Sequence, residues 1–237
     1  MQGKVKSMAE RAIAIVLASG GMDSCVLAAL AAQEHELAML HASYGQRTAG
    51  RERKAFEAIA DFYGVPPGRR LAVSLAHLAA IGGSALTDAS IPVPEGRLGR
   101  EGIPASYVPF RNANLLAVAA AWGEVLGARR IFFGAMEEDS SGYPDCRGAF
   151  VEAFNRLIAA GTRPETRLEV AAPLLHVTKA EVVRLGTRLG APFQLTWSCY
   201  QSEDVACGRC DSCVLRLRGF REAGVPDPIP YADGREK

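Results

Sequence analysis

"AIAIVLASGGMDSCVLAALAA", residues 12 to 32, decides the fold. Its opening, Ala12 to Ala18, is a short and nearly continuous apolar run of strand length, the pattern of a strand covered on both faces. Its close runs into "CVLAALAAQEH", which reads as a helix from Cys25. A glycine pair joins the two. Such a turn suggests a phosphate site, because the free N–H groups and the dipole at a helix start favour an anion. The Lys of the common nucleotide loop G-x-x-x-x-G-K-[ST] is missing, and Asp23 and Ser24 follow the glycines instead. Gly20 and Gly21 permit close backbone approach to an oxyanion, while Ser19 and Ser24 add hydroxyl donors. Asp23 makes sense there if its carboxylate shares Mg²⁺ with phosphate oxygens. The competing reading is a plain tight turn with Asp23 or Ser24 as helix N-cap, and composition alone leaves the two near even.

Outward from this unit, "ELAMLHA" (Glu36 to Ala42) is a second strand, "AGRERKAFEAIADFYG" a helix ending at Gly64, and "RRLAVSL" (Arg69 to Leu75) a third strand. From Ile81 to Pro109 periodicity disappears and Gly and Pro recur, the mark of a long functional or mobile loop. Alternation then resumes with helix "NANLLAVAAAWGEVLGA", strand Arg130 to Ala135, helix "AFVEAFNRLIAAG", a strand within "RLEVAAPLL" and helix "TKAEVVRLGTRLG". This predicts an α/β fold, a Rossmann-like parallel sheet with helices on both faces. The division expected is residues 1–193 as the nucleotide-binding part and 194–237 as a cysteine-rich segment. In such sheets ligands bind beyond the carboxyl ends of the strands, near the reversal of strand order. The loops that matter are therefore "SGGMDS", "SYGQR", "VPFRN" and "MEEDSSGYPDCR".

The bulk numbers narrow the class. A chain of 237 residues, 49% hydrophobic and 22% charged, has the composition of an ordinary globular protein with one main domain and an appendage. The net charge of +1 advertises no long nucleic-acid footprint, which disfavours an RNA substrate. The start, "MQGKVKSMAE", lacks an apolar h-region and no stretch has the length of a membrane span, so a cytoplasmic location is expected. Of six cysteines, Cys199, Cys207, Cys210 and Cys213 lie close together, and in a cytosolic chain metal is a better reading than disulfides.

"SGGMDS" resembles the S-G-G-x-D-S signature of the PP-loop ATP pyrophosphatases, with their adenine nucleotide alpha-hydrolase-like fold. The resemblance implies cleavage of ATP between the α and β phosphates, adenylation of a substrate oxygen, and a loop that stabilises departing pyrophosphate, which suits the missing Lys. "YGQR", "VPFRN", "SGYPDCR", "PLLHVTKAEVVRLG" and "CGRCDSC" together resemble the 7-cyano-7-deazaguanine synthase family of 7-deazapurine (queuosine) biosynthesis, over about Ile13 to Phe220. In this chain Thr48 stands where the family usually has His, Phe110 where Gly is frequent, and Cys25 where Thr is usual. Cys25 reads as small core filler.

The resemblance implies a carbon–nitrogen ligase that turns 7-carboxy-7-deazaguanine, ammonia and ATP into the nitrile. One oxygen of the acid becomes an AMP ester, ammonia gives the amide, and a second ATP activates the amide oxygen for expulsion. Positioning and charge stabilisation suffice, with no covalent protein nucleophile. Ala18, Ser19, Gly20, Gly21, Met22, Asp23 and Ser24 would hold ATP with Mg²⁺, and Ser19, Asp23 and Ser24 would act on the departing charge. Lys179 is either a phosphate contact or an exposed first-turn helix residue. Arg47 and Arg111 would fork onto a phosphate or the substrate carboxylate. For the ring, Asp145 or Asp139 would accept from the donor edge and Tyr143 would stack, with Gln46, Asn112 and Arg147 as further contacts. Read without the family, "SGYPDCR" is a polar turn. The four histidines, His35, His41, His77 and His176, show no ligand spacing and read as structural.

Two C-x2-C steps share Cys210, and Cys199 supplies a fourth thiolate, a set suited to a closed structural Zn²⁺ site. Arg209, Arg216 and Arg218 are candidates to offset its negative charge. An iron–sulfur cluster uses the same ligands, but the resemblance and the lack of redox chemistry favour zinc. The family suggests a homodimer with no nucleic-acid or membrane partner. Two alternatives are a PP-loop tRNA-modifying adenylase of the thiolase or lysidine synthetase type, and a zinc-ribbon binding module without turnover.

Overall fold

The computed structural model describes residues 11–93, 102–137 and 142–232. Five strands, β1 (Ile13–Leu17), β2 (Glu36–Ser43), β3 (Arg70–Ser74), β4 (Arg130–Phe132) and β5 (Glu169–Ala171), form one sheet in the order β3-β2-β1-β4-β5. All pairings are parallel, with Ile15 opposite Ala38 on one side and Ile131 on the other. The helices are α1 (Met22–Ala31), α2 (Ala49–Phe62), α3 (His77–Ile81), α4 (Arg111–Leu126), α5 (Gly148–Gly161), α6 (Lys179–Leu189) and α7 (Asp211–Ala223).

The continuous apolar reading of β1 is explained by its two covered faces. Ala14 and Val16 join Leu27, Phe56, Val183 and Phe220 of α1, α2, α6 and α7. Ile15 and Leu17 join Leu116 of α4 and Phe154 and Ile158 of α5. The expected α/β sheet with helices on both faces is therefore the observed one. Strand order reverses between β1 and β4, so the site should lie beyond Leu17 and Phe132.

Three differences from the sequence reading bear on that site. Helix α1 begins at Met22, not Cys25, and its N-cap is Gly21 with no side-chain cap, so neither Asp23 nor Ser24 is the cap. Strand β4 stops at Phe132, although Phe133 N–H still reaches Ala171 O at 2.9 Å. Beyond it the chain passes close to α1, where a Cβ on Gly134 would lie 3.5 Å from Leu27 Cδ1 and 4.0 Å from Asp23 Cβ. Helix α7 is new, and it packs Cys213, Leu217 and Phe220 inward before ending at Gly224 with φ +71°. The long loop after α3 is pinned by Ala85 N–H on Ala105 O at 2.8 Å.

Candidate active site

Two glycines of the first loop serve different ends. Gly20 has φ +84°, and a Cβ there would lie 2.6 Å from Glu52 O and 3.0 Å from Ala55 Cβ. It lets the loop lie against α2 instead of admitting a ligand. Gly21 has extended backbone, φ −81° and ψ 169°, and begins α1. Ser19 Oγ accepts its N–H at 3.2 Å, and Ser24 Oγ donates to Gly21 O at 3.0 Å. The N–H groups of Met22, Asp23 and Ser24, the first turn of an uncapped helix, have no carbonyl partner within it and suit an anion. His41, as expected a structural residue, donates through Nδ1 to Ala18 O at 3.0 Å and stacks on Phe56. Burial pushes the Cys25 thiol up to about 12, in keeping with inert core filler.

Lys179 lies beside the first loop. It opens α6 behind the Thr178–Glu181 capping box, and its Nζ lies 2.7 Å from Asp23 Oδ2 and 3.1 Å from Met136 Sδ. Its side chain is 11% exposed, so it is no solvated first-turn residue. The loop thus has a lysine after all, delivered from a distant helix. Asp23 Oδ1 is buried without a hydrogen-bond partner. One oxygen on the ammonium and one left over suits Mg²⁺, which takes one or two carboxylates and completes its shell with phosphate and water.

Two adjoining cavities lie beyond β1 and β4. The larger, about 250 Å³, is lined by Ser19, Gly21, Asp23, Tyr44, Glu52, Arg111 and Trp197 among others. The smaller, about 170 Å³, is lined by Asp23, Arg111, Tyr143, Cys146, Lys179 and Tyr200 among others. Arg111 and Asp23 face both. Arg111 donates to Tyr44 OH at 3.1 Å and lies 5.3 Å from the centre of that ring. It is the first residue of α4, preceded by Phe110 at φ +57°, the one non-glycine with positive φ among the described residues. That conformation explains why glycine suits this place in the family.

Tyr143 faces the smaller cavity with its hydroxyl 2.8 Å from Ser106 Oγ, and burial raises its pKa above the usual phenol value. Asp145 is buried; Oδ2 accepts Asn112 N–H at 3.1 Å and Oδ1 has no hydrogen-bond partner, while the side chain is not among those lining either cavity. Asn112 spends its amide on Asp145 O and Cys146 Sγ, at 3.2 and 3.3 Å, so it positions the loop. Asp139 lies outside the described residues.

Three further expected site residues do not line the two cavities. Arg47 is turned to the long loop, donating to the carbonyls of Ala85, Asp88 and Ile91 at 3.1, 3.1 and 2.9 Å, and is not among the cavity-lining side chains. Gln46 is buried between Tyr44 N–H (2.8 Å) and Glu52 Oε2 (2.9 Å), which makes it a strut for Glu52. Arg147 is exposed as the N-cap of α5. Conversely Glu52, Tyr44 and Tyr200 line the site without having been singled out. Tyr44 stood in "YGQR", and Glu52 follows on the first turn of the next helix, but neither residue type announces a cavity.

The four thiols of Cys199, Cys207, Cys210 and Cys213 lie within 4.8 Å of one another, and Cys207 Sγ is 3.9 Å from Cys213 Sγ. Tetrahedral Zn–S bonds of about 2.3 Å require sulfur atoms about 3.8 Å apart, so the donor set fits zinc. The N–H groups of Gln201, Ser202 and Cys207 point at Cys199 Sγ at 3.4 Å, and that of Cys210 at Cys207 Sγ, also at 3.4 Å, as thiolates favour. Arg216 does not offset this charge. It is buried and forks onto Asp227 at 2.7 and 2.8 Å.

No described helix is long and apolar enough to cross a membrane. A family model described as "Queuosine biosynthesis protein QueC" matches residues 13–224. The 7-cyano-7-deazaguanine synthase of Chlorobium phaeobacteroides (strain DSM 266 / SMG 266 / 2430) is 57% identical over 219 residues, 92% of this chain and 96% of that protein. That of Chloroherpeton thalassium is 56% identical over the same shares, and that of Koribacter versatilis is 57% identical over 92% of this chain and 93% of its own.

Proposed function

The chain belongs to the QueC family, and from that premise we propose that it converts 7-carboxy-7-deazaguanine and ammonia to 7-cyano-7-deazaguanine at the expense of ATP. One observation supports this most. The first turn of α1, Lys179, Tyr143, Tyr200 and Arg111 line two adjoining cavities, and Arg111 faces both, so phosphate donors and aromatic rings share one site with a guanidinium between its parts. A guanidinium at that junction faces the point where the ring's carboxylate and the α-phosphate of ATP must meet.

In this reading the N–H groups of Met22, Asp23 and Ser24 and the Lys179 ammonium hold the departing pyrophosphate, and need no reorganisation as charge develops. Asp23 would hold Mg²⁺, which when bound neutralises phosphate charge. Arg111 orients the acid for attack, Tyr143 stacks on the ring, and Asp145, with Oδ1 unpartnered and its chain neighbour Cys146 lining the smaller cavity, would accept from the donor edge of the deazaguanine. Residues 1–193 bind nucleotide and 194–237 carry the structural zinc. The family resemblance supports a cytoplasmic homodimer, which sedimentation and cell fractionation would check.

Purified protein incubated with ATP, ammonium and the deazapurine acid should give the nitrile, AMP and pyrophosphate by mass spectrometry. Release of ADP, or modification of tRNA in place of the free base, would refute the proposal.

A further inference from the structure

We propose that Glu52 is the base that takes a proton from ammonium and so delivers ammonia as the nucleophile. The inference rests on the function proposed above. Glu52 sits on the first turn of α2 and lines the same cavity as Ser19, Gly21 and Arg111. Both carboxylate oxygens are held by neutral donors only: Thr48 Oγ1 at 2.8 Å on Oε1 and Gln46 Nε2 at 2.9 Å on Oε2. Those two donors are themselves buried, and Gln46 is fixed by Tyr44 N–H. Each oxygen keeps a lone pair, and the carboxylate is aimed without being neutralised. A small cation with several N–H donors is the ligand such an oxygen pair takes.

The charged groups around it are Arg111 from α4 and Glu203 from the cysteine segment, which act in opposite senses; burial outweighs both donors and raises the Glu52 pKa. A carboxylate so placed is a better base than one in water. The step balances as follows. Ammonium gives one proton to Glu52, the freed nitrogen lone pair forms the C–N bond at the acyl carbon, and the C–O bond breaks towards AMP. The departing phosphate carries off the second N–H proton.

Glu52→Gln keeps the shape, since its carbonyl accepts from Gln46 and its amide donates to Thr48 Oγ1. With ammonium near neutral pH it should lose about 100-fold or more in amide formation, the usual scale of general-base catalysis. With hydroxylamine, already neutral at that pH, hydroxamate formation should fall less than about tenfold. The variant's ammonium rate should climb with pH as free ammonia does, more steeply than the wild type's. Glu52→Asp, which keeps the acid, should retain the wild-type pH profile at a lower rate. For Glu52→Gln, equal losses with both nucleophiles and an unchanged pH profile would overturn the proposal; for Glu52→Asp, a rate that climbs with pH as free ammonia does would overturn it. A wild-type protein that yields no AMP would instead overturn the function beneath it.

Discussion

Replacing Gly20 and Gly21 singly by alanine separates packing from binding. At Gly20 the new Cβ meets helix backbone, 2.6 Å from Glu52 O and 3.3 Å from Phe56 N, at φ +84°. Left-handed backbone costs a non-glycine residue about 1–2 kcal/mol, and forced overpacking about 1–3 kcal/mol. Retreat of the loop relieves the second term but stretches the Trp197 N–H bond to Gly20 O, now 2.8 Å, worth about 1 kcal/mol. The unfolded chain gives back about 0.4–1 kcal/mol through its own lost freedom. The net is a loss of about 2–3 kcal/mol, which for a chain of this size lowers the melting midpoint by about 4–12 °C.

At Gly21 the backbone is extended and the nearest contact, Ser19 Oγ at 3.2 Å, can rotate away. Stability should change by less than about 1 kcal/mol. Its methyl group faces the cavity, however, and should reduce AMP formation on the order of 100-fold by displacing an anion from its donors. Thermal unfolding and AMP release, measured on the metal-loaded protein, read the two effects. A Gly20→Ala protein melting within about 2 °C of wild type would refute the packing argument, and a fully active Gly21→Ala protein the binding one.

Lys179→Met should lower AMP formation on the order of 100-fold with little change in melting, since its partner Asp23 is partly solvated; pyrophosphate release checks this. Asp227→Ala leaves the Arg216 guanidinium buried and unpaired, so urea denaturation should show a loss of about 3–5 kcal/mol, reduced when Arg216→Met is added. Cys210→Ser or a strong chelator should release zinc and lower the melting midpoint, read by metal analysis beside calorimetry. Acidification should release zinc too, because each thiolate ligand must take up a proton to leave.

The sheet was legible because β1 is buried on both faces and the spacing of helices forces parallel crossovers. The start of α1 was not, because apolar periodicity begins at Cys25, whereas the helix begins where backbone geometry allows, at Met22 directly after Gly21. Helix α7 carried a usable signal in Cys213, Leu217, Phe220 and the terminal Gly224, but Cys213 reads first as part of a metal-ligand spacing. Side-chain direction was the least legible. Arg47 and Arg111 stand in loops of equal promise, yet one faces three carbonyls of the long loop and the other faces both cavities. No pattern in a linear sequence records which carbonyls a loop leaves unpaired.

A nucleotide loop that carries its own Lys fixes the distance between backbone donors and ammonium by covalent geometry. Here the donors belong to α1 and the ammonium to α6, and something else must hold them in register. The cysteine segment touches both. Trp197 N–H grips Gly20 O at 2.8 Å, and a Cβ on Gly219 of α7 would lie 2.9 Å from Lys179 Cβ and 3.2 Å from its carbonyl. Between these two points Arg216 ties Thr196 and Phe193 to Asp227, with its Nη1 2.6 Å from Thr196 Oγ1. Metal bound to the four cysteines would order this segment and so set the spacing of loop and lysine. Its loss should weaken phosphate chemistry through geometry while leaving the charge of every catalytic group unchanged.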